Sequence, residues 1–137
     1  MKKIVGLFAI AIFGMTGCSK TSSNVLKYDN YYRWNNNSSE FYVDENYFIE
    51  ITSSKLIEHF SKHEEIYSYK AKGTSLFVAR FSDEEIKNNK SSTENKFRYL
   101  CEYGDGFLKV DSTNSYDFYI TEDFAKEMNL NIVHKEK

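Results

Sequence analysis

From Glu40 onward, apolar and polar residues alternate in short segments that are separated by turn residues. Such alternation is typical of strands with one buried face. The segments predicted as strands are residues 41–44, 47–52, 66–71, 75–81, 97–103, 107–111 and 116–120. The turns Lys72-Gly73-Thr74 and Gly104-Asp105-Gly106 each lie between two of these segments, so two hairpins are predicted.

Three segments have the spacing or the caps of short helices. Ser53 or Ser54 is placed to cap a helix that ends near residue 65. The apolar residues of this segment, Leu56, Ile57 and Phe60, recur at helical spacing. Ser82 begins a capping box, with a glutamate three residues later, and predicts a second short helix. Thr121, followed by two acidic residues, predicts a third.

Together these elements predict an α+β fold: one small domain in which an antiparallel sheet of meander hairpins carries two or three short helices. The predicted organisation is a signal peptide over residues 1–17, a lipidated N-terminus and tether over 18–39, and a globular domain over 40–137. Removing residues 1–17 from the 137-residue chain leaves 120 residues, which suits one domain.

The N-terminus has the composition of a secretion signal. Two lysines at positions 2 and 3 precede an uncharged apolar run over residues 4–15. A helix of about 12 residues rises roughly 18 Å, which is too short for a hydrocarbon core of about 30 Å. The run is therefore interpreted as a cleaved signal peptide and not as a permanent membrane span.

The sequence Met15-Thr16-Gly17-Cys18, which ends the apolar run, resembles the lipobox of bacterial lipoproteins. The resemblance implies cleavage before Cys18, a diacylglyceryl group on its thiol, and acylation of the new amine. Several acyl chains on one residue would anchor the protein firmly to a membrane. Ser19 is not the aspartate of retained lipoproteins, so in a two-membrane envelope the resemblance implies the periplasmic face of the outer membrane.

Charge argues against nucleic acid as a partner. The chain has 18 basic and 20 acidic residues, and loss of the two signal-peptide lysines takes the net charge from −2 to −4. Nucleic acids and anionic lipid surfaces are bound by basic faces. The expected partners are therefore the membrane, through the lipid on Cys18, and an envelope or periplasmic protein.

Tyr28, Tyr31, Tyr32 and Trp34 form the least ordinary local composition, beside three asparagines. Tyrosine and tryptophan are favoured anchors in interfaces, so this cluster is a candidate binding surface for a protein or a sugar. The alternative is that the rings pack onto an edge of the sheet, since aromatic residues make up 17% of the chain and aromatic rings are usually buried.

Other reactive residues carry no catalytic or metal-binding pattern. His59 and His63 would share a face of the predicted helix, but Phe60 stands where a zinc protease has glutamate. Asp105 between two glycines is interpreted as a hairpin turn. Cys101, on an apolar face that residues 97, 99, 101 and 103 are expected to share, is interpreted as a buried structural thiol. No metal and no cofactor is predicted.

Tyr67, followed after four residues by Lys72-Gly73, resembles a short motif of the membrane-bound lysozyme inhibitors of the bacterial envelope. A companion Ser-Gly-x-x-Tyr element and a disulfide are missing, so no site residue is carried over from that family. The sequence as a whole predicts a non-enzymatic, lipid-anchored protein-binding module, such as an inhibitor or immunity-type protein. A structural or assembly lipoprotein and a sugar- or peptidoglycan-binding module are the alternatives.

Overall fold

Hydrogen bonds between antiparallel neighbours join eight strands of this chain into a closed barrel. The computed structural model describes residues 25–88, 96–113 and 115–135. Its elements in chain order are β1 (Asn30–Trp34), β2 (Glu40–Asp44), β3 (Tyr47–Ile51), β4 (Lys55–Phe60), β5 (Glu64–Lys72), β6 (Ser75–Ala79), α1 (Asp83–Asn88), β7 (Phe97–Gly104), β8 (Phe107–Ser112), β9 (Ser115–Ile120), α2 (Glu122–Glu127) and β10 (Asn131–Lys135).

The barrel follows the order β1-β3-β4-β5-β6-β7-β8-β9, and β9 pairs back onto β1. In the closing pair, Tyr32 lies opposite Ile120 and Trp34 lies opposite Phe118. Strand β2 leaves the barrel between β1 and β3 and forms a separate two-stranded parallel sheet with β10. Because the barrel is closed, each of its eight strands has a hydrogen-bonded neighbour on both sides.

Side chains that point into the barrel form its core. Successive residues of a strand point to opposite sides, so every second residue of a barrel strand faces inward. The buried members of this core are Leu26, Tyr31, Ile49, Ile51, Leu56, Leu76, Cys101, Tyr103 and Leu108. Within the described ranges, no buried side-chain polar atom lacks a hydrogen-bond partner.

A second apolar core lies on the outside of the barrel wall, over β1 and β9. Tyr32 and Trp34 of β1 point outward into this core, whereas Tyr31 of the same strand points inward and belongs to the first core. The small sheet supplies Phe41 and Val43, and α2 adds Phe124 and Ala125 to this outer core. Strand β1 is therefore buried on both faces, and the segment that follows β9 folds back to cover it.

The predicted α+β fold is wrong, because the structure is a β-barrel with only two short helices in its described ranges. The largest single error is the helix predicted from Ser53 or Ser54 to about residue 65. These residues form the β3–β4 turn and then two strands, β4 and the start of β5. In the turn, the hydroxyl of Thr52 accepts hydrogen bonds from the backbone N–H groups of Ser54 and Lys55.

The helical interpretation failed because a carboxylate lies inside the barrel. Leu56 points inward and Glu58, two residues later, faces the same way. The hydroxyl of Tyr47 donates a 2.7 Å hydrogen bond to the Glu58 carboxylate, so this polar residue is tolerated on the inner face. An inward-facing glutamate breaks the apolar alternation by which a strand is recognised, and the remaining apolar residues happen to fit a helix.

Both shorter helices are confirmed. At the start of α1, the Ser82 hydroxyl accepts from the N–H of Glu85, and the Glu85 carboxylate accepts from the N–H of Ser82. Thr121 caps α2 by accepting from the N–H of Phe124. The sequence did not predict β10, which pairs in parallel with β2.

Leu76 tests the inner core, because its side chain is fully buried in the barrel. Replacement of Leu76 by alanine should lower the free energy of unfolding by roughly 2–5 kcal/mol, through lost apolar contact and a residual cavity. Thermal or urea denaturation measures the change. Lys62→Ala, at an exposed hairpin tip, is the control and should change the stability by less than about 0.5 kcal/mol. A small effect of Leu76→Ala would contradict the inward orientation of β6.

Candidate functional site

The aromatic cluster of the N-terminal segment is mostly internal. Tyr31 is buried in the barrel core, and Tyr32 and Trp34 are buried in the outer core. Only Tyr28 of the four is exposed, with 61% of its surface accessible. Three of the four predicted binding residues therefore serve as packing side chains, and the cluster does not form a continuous surface for a partner.

The two histidines that the sequence placed on one helical face lie on a β-hairpin. His59 stacks on Phe48 and its Nε2 lies 2.7 Å from the Glu50 carboxylate. His63 stacks on Phe60 across the hairpin turn. In the parts of the chain that the structure describes, no group of three or more His, Cys, Asp or Glu residues could hold a metal ion. Cys18 lies outside the described residues.

Cys101 is fully buried inside the barrel, opposite Leu76. Burial raises the pKa of its thiol to about 12, with a further contribution from Glu102 and Asp111. A thiol in that state is a poor nucleophile at neutral pH. The interpretation of Cys101 as a buried structural thiol agrees with this geometry.

The face that Cys101 was expected to share with Tyr99 is divided by a β-bulge. The register between β6 and β7 shifts between Leu76 and Phe77, so that Leu76 pairs with Cys101 while Phe77 pairs with Tyr99. Cys101 consequently points inward and Tyr99 points outward, where it is 40% exposed. The prediction of one common face was wrong because an inserted residue in β7 cannot be seen in the alternation pattern.

A partly exposed surface with three aromatic rings lies on the outside of β6 and β7, the middle of β8 and the start of β9. We call Phe77, Tyr99, Glu102, Lys109 and Tyr116 the tyrosine wall. Glu102 and Lys109 project from the outer face, because they pair with each other and Leu108, the neighbour of Lys109, points inward. Phe77 follows the inward Leu76, and Tyr99 pairs with Phe77. Tyr116 is two residues from Phe118, which pairs with Lys109. Tyr116, at 53%, and Tyr99 are among the most exposed large apolar side chains of the described residues.

Glu102 organises one half of the tyrosine wall. Its carboxylate accepts hydrogen bonds from the hydroxyls of Thr74, Ser75 and Tyr99, at 2.7, 2.9 and 3.0 Å. These bonds, led by the one from Thr74 and opposed by partial burial, lower the pKa of Glu102. The ionised carboxylate holds Tyr99 by its hydroxyl, and Phe77 contacts the same ring edge-on at 5.9 Å between centroids.

Lys109 organises the other half. Its ammonium lies 4.1 Å from the centroid of the Tyr116 ring, which is a cation–π contact between adjacent strands. Both exposed tyrosines are thus held by side chains of the same sheet before any partner arrives. Rings that are fixed in advance lose little conformational entropy on binding, and they present both an apolar face and a hydroxyl.

A cleft of about 420 Å³ lies between β5 and α1. Strand β6 pairs with β5 from Tyr69 onward, and β4 pairs with the earlier part of β5 on its other side. Helix α1 packs against β5, and the cleft opens between them. The carboxylates that line it are Glu64, Glu65, Asp83, Glu84 and Glu85. Such a lining is complementary in charge to the lysine and arginine side chains of a basic protein.

No model of a known protein family, no curated protein and no solved structure matches this chain. None of the described helices is both long enough and apolar enough to cross a membrane.

Sequence reasoning missed the tyrosine wall. Tyr99 and Tyr116 were placed within predicted strands, but a strand pattern does not show which face is covered by another part of the chain. An exposed ring can be recognised only when the covered faces are known.

The burial of Cys101 is open to a labelling test. In the native protein the thiol should react with a bulky maleimide at pH 7 far more slowly than in urea-unfolded protein, because it is both inaccessible and protonated. Mass spectrometry of the intact chain follows the reaction, and a Lys62→Cys variant provides an exposed thiol for comparison. Equal rates for Cys101 in native and unfolded protein would show that β7 has the opposite orientation.

Proposed function

We propose that this protein is a non-enzymatic lipoprotein of the bacterial cell envelope that binds another protein through the tyrosine wall. In this proposal the partner is a periplasmic or envelope protein, and the bound state blocks its activity, as an inhibitor or immunity-type protein does. The single observation that carries the proposal is the pair of exposed tyrosines, Tyr99 and Tyr116, held in place on the outer face of a rigid sheet.

The anchoring part of the proposal is supported by the sequence Met15-Thr16-Gly17-Cys18 after an apolar run. Lipid on Cys18 would hold the barrel close to the membrane, so a partner would be met at a high local concentration. An anchored inhibitor needs surface complementarity and proximity, and it needs no catalytic group of its own.

The binding part is supported by the chemistry of the tyrosine wall. Interfaces are enriched in tyrosine, and a few aromatic anchors carry most of the binding free energy. The wall combines two such rings with one negative and one positive side chain, Glu102 and Lys109, which give the surface directional contacts. The acidic cleft elsewhere on the barrel and the negative net charge favour a basic partner, because complementary charge speeds association.

Tyr99 and Tyr116 are expected to act as binding anchors. The double variant Tyr99→Ala/Tyr116→Ala should weaken the complex with a partner captured from native envelopes by at least about 2 kcal/mol, or roughly 30-fold in Kd. Its free energy of unfolding should fall by less than about 2 kcal/mol, because both side chains are partly exposed and neither belongs to the two apolar cores. Calorimetric titration and thermal denaturation measure the two quantities.

Tyr42→Ala is the matched control for that experiment. Tyr42 is 44% exposed, donates its hydroxyl to Glu40 and lies under the ammonium of Lys135, but it belongs to the small sheet. It should leave the Kd unchanged. If Tyr42→Ala weakens the complex as much as the double variant does, the tyrosine wall is not the binding surface.

Cys18→Ala should abolish incorporation of a radioactive fatty acid and should leave an uncut precursor or a soluble product. The reason is that this thiol is the proposed acceptor of the lipid, and the second cysteine of the chain, Cys101, is buried in the barrel. Labelling of whole cells followed by electrophoresis measures the outcome. Unchanged labelling of the variant would refute the lipoprotein assignment and the proposed location.

A further inference from the structure

The chain enters the barrel at one particular end. Leu26 is buried in the inner core, and the hydroxyl of Tyr31 donates a 2.6 Å hydrogen bond to the carbonyl of Lys27. The N–H of Ile51, at the end of β3, donates to the carbonyl of Asp29. These contacts fix the first described residues at the end where β1 begins and β3 ends. We call this the entry end.

Two apolar side chains at the entry end face solvent. Val25 is 64% exposed and Tyr28 is 61% exposed, although Leu26 between them is buried. Tyr69 marks the entry end, because its hydroxyl donates to the carbonyl of Thr52 in the β3–β4 turn. Burial, and then the nearby Tyr28, raises the pKa of Tyr69. Tyr28 therefore lies beside Tyr69 at the entry end.

The chain outside the structure is too short to let this end move far from a membrane. Six residues lie between Cys18 and Val25, so the seven steps from one to the other reach at most about 25 Å when fully extended. The headgroup region of a bilayer accepts apolar side chains and amphipathic tyrosine rings. The interaction does not depend on charge attraction, because the mature chain is acidic and anionic lipids would repel it.

We propose that Val25 and Tyr28 insert into the headgroup region of the bilayer and orient the anchored barrel with its entry end on the membrane. This inference depends on the proposed lipidation of Cys18. It places the β4–β5 hairpin, with its tip at Ser61 and Lys62, at the end that points away from the bilayer. The tyrosine wall, on the side of the barrel, then remains open to a partner that approaches along the membrane.

Strand β4 offers a matched pair of probe positions. Ser53, in the turn before it, lies at the entry end, and Lys62, in the turn after it, lies at the opposite end. Both residues are exposed, so Ser53→Cys and Lys62→Cys can each carry a fluorophore. The native cysteines do not compete, because Cys101 is buried and the thiol of Cys18 carries the lipid in this proposal.

The experiment uses the full-length lipidated chain in vesicles of phosphatidylethanolamine and phosphatidylglycerol that contain a nitroxide-labelled headgroup. We expect a large loss of fluorescence from the probe at Ser53 and a small loss from the probe at Lys62. In the double variant Val25→Ser/Tyr28→Ser, the chain should stay on the vesicles through its lipid, but the difference between the two probes should disappear.

Three results would overturn the inference, and they differ in what they leave standing. Equal quenching of both probes in vesicle-bound protein refutes the orientation and leaves the lipid anchor intact. A difference that survives the double substitution refutes the role of Val25 and Tyr28. A full-length chain that carries no lipid and does not bind the vesicles removes this inference together with the lipoprotein proposal.

Discussion

The pairing of β1 with β9 is the interaction on which the rest of the structure depends. It closes the barrel, and it brings Tyr32 and Trp34 beside Ile120 and Phe118 on the outer face of the wall. Closure satisfies the backbone groups of two strands that would otherwise be free edges. It also creates an apolar outer surface that must be covered, which the small sheet and α2 do.

Two consequences for the surface follow from that cover. The outside of β1 and β9 is occupied by this chain's own residues, so it is not available to a partner. The outside of β6 and β7, with the later part of β8 and the start of β9, has no such cover within the described residues, and there Tyr99 and Tyr116 stay exposed. The candidate binding surface is thus the part of the barrel wall that the described residues leave uncovered, and its rings are held by Glu102 and Lys109.

Local signals were sufficient to predict most elements, and long-range constraints were not. Turn residues located the hairpin around Gly104-Asp105-Gly106, and a capping box at Ser82 and an N-cap at Thr121 located the two helices. Strand β4 was not predicted, because the inward-facing Glu58 breaks its apolar pattern. The residue that stabilises this carboxylate, Tyr47, is eleven residues away in the sequence, so no local pattern indicates the contact. Barrel closure depends on pairing between the two ends of the chain, and no local pattern reports it. The candidate binding surface could not be predicted either, because Tyr99 points outward only as a result of the β-bulge in the β6–β7 pair.

Trp34 gives the most direct test of the closed barrel, because it is the single tryptophan of the chain and lies at the β1–β9 pair. It is 3% exposed and packs edge-on against Phe118. The structure predicts blue-shifted fluorescence that iodide does not quench until the protein unfolds, in one transition shared with the loss of β-sheet circular dichroism. Emission typical of a water-exposed indole, freely quenched by iodide in the native protein, would contradict barrel closure by β1.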